Sequence, residues 1–334
     1  MSEKTLPSYG GQALIEGVLM RGKKYLAASF RKPDGTIETV SEELSGIYKT
    51  NIRKIPFLRG LISLWDSLGL GMKYLSISAN MQTGEDEKIT PLEMVVTMII
   101  AFGLAAVLFF VGPAWVGKLI EDHLHASLWL SNALEGLFRL AVVIIYMLAV
   151  SQMEDIKRVF RYHGAEHKTI NCYESGLEMT VENARKQSRQ HPRCGTAFMV
   201  TVVIISIVLF ILIGPLTRTL ASRLLSRLLL IPVIAGVSYE FIFFTARHLD
   251  NPIIRILAKP NLAVQNITTA EPDDSMLEVA LQSFETMLAL EEGRTVLQEK
   301  AQTENAPAAE RRSQRRRRRR ERSARPWIRP EPST

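Results

Sequence analysis

The chain has few of the residues that most often advertise chemistry, with 2 cysteines and 6 histidines in 334 residues. Nor does it have an apolar run near its start. Residues 1–50 are charged and look folded, which argues against a cleaved signal peptide. A soluble core would spread apolar residues evenly, but here the 47% that are hydrophobic come in blocks.

Two blocks carry no charge at all, residues 94–117 and 195–217, the second containing VTVVIISIVLFILIG. At 1.5 Å per helical residue each is long enough to cross the hydrocarbon of a bilayer. Weaker candidates cover 133–153, with Glu135 and Arg139 near its start, and 224–246, with Arg227 and Glu240. The expected fold is therefore an α-helical integral membrane protein with about four transmembrane helices.

The segment between the second and third spans, 154–193, holds eight Lys and Arg, whereas the first inter-span loop holds only Lys118. The positive-inside rule places the eight in the cytoplasm, and with four spans both termini follow. Arg218 and Arg223 then sit in an outer loop, a mild conflict. Cys172 and Cys194 both fall in the cytoplasmic segment, where reducing conditions disfavour a disulfide and a thiol more often packs or binds metal.

Five regions follow. Residues 8–41 alternate as strands, with a Pro33-Asp34-Gly35 turn, and predict a small N-terminal β unit over 1–50. Residues 51–91 have apolar residues at helical spacing among Arg53, Lys54, Arg59 and Lys73, which predicts an interfacial or re-entrant helix. Residues 92–250 hold the spans and 251–293 a cytoplasmic segment whose helix starts at Asp273 or Asp274. Residues 294–334 are Arg-rich, cannot form a core and read as disordered. That tail suits anionic lipid headgroups on the cytoplasmic face better than nucleic acid.

The chemistry concentrates in RYHGAEHKTINCYE, residues 161–174. On a helix His163 and His167 share one face and can direct two nitrogens at one ion, while Glu166 reaches a nearby water as general base. H-x-x-E-H is the inverted zinc-peptidase pattern. Its bland counterpart is a juxtamembrane helix whose histidines touch headgroups or carbonyls. The HPRCG stretch adds His191 and Cys194, three apart. Four ligands would make a closed structural site, and three would leave room for catalysis. Glu240, 73 residues after His167, fits a third-ligand role by spacing, or else pairs with Arg139 or Arg247.

GGQALIEGVLMRG, YHGAEHKTINCYE, HPRCGT and ITTAEPDD, in this order over about residues 8–290, resemble the YqhQ-like family. These are bacterial multipass membrane proteins of unknown function, sometimes described as predicted metal-dependent enzymes. The resemblance implies one composite site at the cytoplasmic face, drawn from Glu16, His163, Glu166, His167, Glu174, His191, Cys194, Glu240 and Asp273. The reading that results is a zinc-type hydrolase acting on a lipid or a membrane-proximal peptide. A non-catalytic scaffold whose metal, if any, staples the loop to the β unit is the alternative. Membrane transport ranks third, because Glu240 is the one ionisable residue deep in a confident span.

Overall fold

The computed structural model describes residues 9–44, 55–82, 90–216 and 219–294. The arginine tail, with the disorder and headgroup contact expected of it, lies outside these residues.

Four strands form an antiparallel meander in the order β1 (Gly10–Leu14), β2 (Gly17–Arg21), β3 (Tyr25–Arg31) and β4 (Ile37–Glu43). Gly35, at φ 84°, supplies the left-handed residue of the β3–β4 turn expected at Pro33-Asp34-Gly35. Because both faces of β2 and β3 are covered, their residues are buried almost without a break. Val18, Met20 and Ala27 point to one core, Leu19, Leu26, Ala28 and Phe30 to another.

The first core is filled by α5 (Glu154–Glu174) and α10 (Asp274–Glu291), the second by the C-terminal half of α1 (Leu58–Gln82) through Tyr74. Helix α10 starts where expected, with Asp273 as its N-cap accepting from the Met276 N–H at 3.0 Å. Its partner surface is the sheet. The short α6 (Val181–Arg185) packs on α5 and α10 and closes this unit.

Among the described residues four helices are long and apolar enough to cross a membrane. The first combines α2 (Pro91–Ala106), a π turn (Val107–Val111) and α3 (Gly112–Leu124). The others are α4 (Leu128–Val150), α7 (Gly195–Ile213) and α8 (Leu220–Arg247). Their exposed Leu, Ile, Val and Phe side chains are those of a surface facing lipid. Helix α1 is not among the four: its N-terminal half packs on α8 and its C-terminal half covers the sheet.

Two features differ from the sequence reading. An additional helix, α9 (Pro252–Thr268), packs on α7, and Val264 joins the core made by Val143, Met147, Val200 and Val203. The bundle also buries far more charge than Glu240, since Glu135, Arg139, Arg223 and Arg227 are all enclosed between α4 and α8. Arg223, which looked misplaced in an outer loop, is fully buried and paired with Glu121 at 2.5 Å. Arg139 donates to the Phe109 carbonyl at 2.9 Å. That carbonyl lacks its helical partner because residue 113, four further on, is a proline without an N–H.

Candidate metal centre

Helix α5 runs unbroken from residue 154 to 174, so His163 and His167 lie one turn apart with their rings 4.4 Å from centroid to centroid. Gly164, inside the helix, is required there. A β-carbon at this position would run into the Ala270 carbonyl oxygen, where the α9–α10 connection crosses the helix.

Each histidine is fixed by a carbonyl. His163 Nδ1 lies 2.8 Å from the Thr268 oxygen and His167 Nδ1 2.5 Å from the Arg189 oxygen. A carbonyl only accepts, so both Nδ1 atoms carry the proton and both Nε2 atoms present lone pairs. Cys194, the N-cap of α7, places its Sγ 3.2 Å from His163 Nε2. The His167 Nε2 is buried and has no hydrogen-bond partner among the described residues. One ligand atom from each of His163, His167 and Cys194 lies within 4.8 Å of the other two. Two imidazole nitrogens and a thiolate suit a zinc-type ion, and the buried, unpartnered nitrogen is the sign that the set fits one.

Glu166 stands beside this trio. The two-residue loop between β1 and β2 makes Leu14 and Gly17 a hydrogen-bonded pair, so Gly11 turns its N–H away from β2 and toward Glu166. A β-carbon at Gly11 would come within 2.6 Å of the Leu19 oxygen and 2.9 Å of the Glu166 Cγ. Burial pushes the Glu166 carboxyl up to about 7, against the opposing pull of His163 and the Gly11 N–H. A carboxyl so placed can exchange a proton near neutral pH.

The other expected site residues are not among the three donors, although the His191 ring lies 5.7 Å from that of His167. His191 accepts from the Arg193 N–H at its Nδ1 and faces Glu174 with its Nε2 at 3.5 Å, which commits both ring nitrogens. Burial pushes its pKa down to about 4, the Glu174 hydrogen bond only partly opposing. Glu174 also pairs with Arg193; burial raises its carboxyl, but His191 and Arg193 together hold it below the usual range.

Glu240 is not among the clustered donors. Arg59 binds it at 2.8 and 2.5 Å and the Phe57 N–H at 3.0 Å, so its partner is neither Arg139 nor Arg247. Glu16 sits in the β1–β2 turn at φ 51° and accepts from Arg158 at 2.7 Å and from the Tyr162 hydroxyl at 3.2 Å, tying the sheet to α5. Cys172 is buried in the sheet-side core with its Sγ 3.5 Å from the Glu178 oxygen. Asp273 serves as a helix cap.

Residues 55–290 match the family described as "Protein of unknown function (DUF1385)". The chain belongs to this family. A curated relative, "Uncharacterized protein YqhQ" of Bacillus subtilis (strain 168), is 36% identical over 303 residues, which is 86% of this chain and 94% of the relative. No solved structure matches. The YqhQ-like resemblance carried by the four motifs thus holds.

All three clustered donors and Glu166 of this DUF1385 chain fall within the matched residues, whereas Gly11 precedes them. Sequence reasoning missed the residues that hold the donors and the neighbouring His191 in place. Gln265 brackets His191, accepting from its N–H at 2.8 Å and donating to its carbonyl at 3.0 Å. Thr268 and Arg189 act through backbone oxygens, which leave no mark in a sequence.

Proposed function

We propose that this DUF1385 protein is a membrane metalloenzyme of the hydrolase type, with His163, His167 and Cys194 as ligands and Glu166 as general base. The observation that carries the reading is the buried, unpartnered His167 Nε2 facing the same small volume as His163 Nε2 and Cys194 Sγ. A zinc-type ion held there supplies Lewis acidity and lowers the pKa of water. Glu166 takes the proton from the attacking water and returns it to the leaving group, a role its pKa of about 7 suits. The Gly11 N–H bonds this carboxyl and ties it to β1.

The site lies where α4 ends and α7 begins, at one end of the apolar bundle. The eight Lys and Arg between those helices support a cytoplasmic location for that end and for both termini. Substrates at this depth are lipids, lipid-linked molecules or membrane-proximal peptides.

A second reading is favoured by how little of the site is exposed, with His167 at 1% and Cys194 at 5%. In it the metal only staples α5 to α7. Cobalt substitution separates the two. With three protein ligands, the visible spectrum of the cobalt form changes when a hydroxamate is added, because a position is open. An unchanged spectrum shows a closed, structural site and overturns the enzyme reading.

A further inference from the structure

At the opposite end of the bundle, where α3 ends and α8 begins, lies a second polar cluster. Glu135 joins three guanidinium groups: Arg139 at 2.9 Å, Arg227 at 3.0 Å and Arg223 at 3.8 Å. Glu121 takes the outer nitrogen of Arg223. Three cations thus face two anions. Adding Lys118 and Asp122, which pair with each other at 2.7 Å nearer the water, leaves the same excess of one positive charge. Such an excess inside a bundle is costly without a counter-charge.

Two donors show where the counter-charge is missing. Arg139 Nη1 and Arg223 Nε are buried and have no hydrogen-bond partner among the described residues, on residues 5% and 0% exposed. Both arginines reach Glu135, so both donors belong to one cluster. Asn132 and Ser131 occupy nitrogens of Arg227 and Arg223 without adding charge.

We propose that this cluster binds a phosphoryl group bearing one negative charge. The fork of N–H donors on arginine matches phosphoryl oxygens, and a single negative charge cancels the excess. Arg223 is the fourth residue of α8 and Glu121 lies in the last turn of α3, so this side of the buried cluster lies near the end of the spans, where a headgroup would reach it. Trp115, Leu225 and Leu228, exposed on the same two helices, offer apolar surface to acyl chains. A phospholipid headgroup and free dihydrogen phosphate share this chemistry.

The test uses the full chain, stripped of lipid in neutral detergent, with its thermal unfolding followed in inorganic phosphate alone and, separately, in phosphatidylglycerol. A saturable rise in the midpoint is expected with at least one of them. Response to phosphate alone identifies the free anion as sufficient, and response only to phosphatidylglycerol identifies the lipid. Arg139→Gln should raise the half-saturating concentration at least tenfold; Arg139→Lys, which keeps the charge but not the fork, should weaken binding even if Arg139→Gln does not fold. No response to either probe overturns the proposal. So does an equal response to sodium chloride at matched ionic strength, or an unaltered response in folded Arg139→Gln or Arg139→Lys.

Discussion

His191 shows how a residue can look like a ligand and work as something else. Its spacing from Cys194 suits a metal turn, but its two nitrogens are already occupied by Arg193 and Glu174. What it does is titrate. The unfolded imidazole binds its proton near 6.5 and the buried one only near 4. Between those values the unfolded state holds more protons, so this residue makes the native state lose stability as the pH falls. The loss from pH 7 to pH 5 is about 2 kcal/mol. Glu166 works the other way, since its raised carboxyl keeps a proton in the native state and costs stability as pH climbs from about 4.5 to about 7. The contribution of His191 is therefore read as a difference: thermal unfolding of His191→Gln should depend less steeply on acid than wild type over pH 7 to 5. An identical slope would show that the imidazole is not held neutral. At this scale the shared face of His163 and His167 was legible from helical periodicity, whereas Cys194 was singled out by its spacing from His191 and not by the capping position it holds. The pairing of Glu240 was not legible, because only the folded chain brings Arg59, 181 positions earlier, to its carboxylate.

Among the elements, α5 depends most on one missing side chain. Gly164 costs helix propensity of about 1 kcal/mol relative to alanine, yet the Ala270 carbonyl leaves no room for a β-carbon. Gly164→Ala should therefore destabilise, by about 1–3 kcal/mol through overpacking, despite its better helix propensity. A variant that unfolds at a higher denaturant concentration than wild type would show that the crossing at Ala270 is not tight. The helix that escaped sequence reading, α9, teaches the complementary lesson. Asn251 caps it and Pro252 opens it, both readable signals, but Pro260 in its interior reads as a break. Its C-terminus supplies the Thr268 carbonyl and Gln265, so the site rests on an element hidden by one proline.

For the whole molecule, the four apolar helices were legible from length and composition, and the β unit from alternation. The charge network inside the bundle was not, because Glu135 meets Arg227 across 92 positions. Removing its one central carboxylate leaves three guanidinium groups with Glu121 as their remaining anion. Glu135→Gln should cost about 3–5 kcal/mol and lower the detergent thermal midpoint accordingly; a midpoint equal to wild type would show that the pairs carry no stability.

The two polar clusters at opposite ends of the bundle divide the molecule into a proposed reactive end and an end that holds the spans together. The metal content of the chain, purified in detergent with zinc supplied and measured by mass spectrometry, bears most directly on the first. Wild type, Glu166→Gln and Glu240→Gln should each carry about one equivalent, and His167→Ala and Cys194→Ser should lose it while remaining folded. A folded wild type that takes up no metal, or a His167→Ala that keeps the full equivalent, would contradict the account.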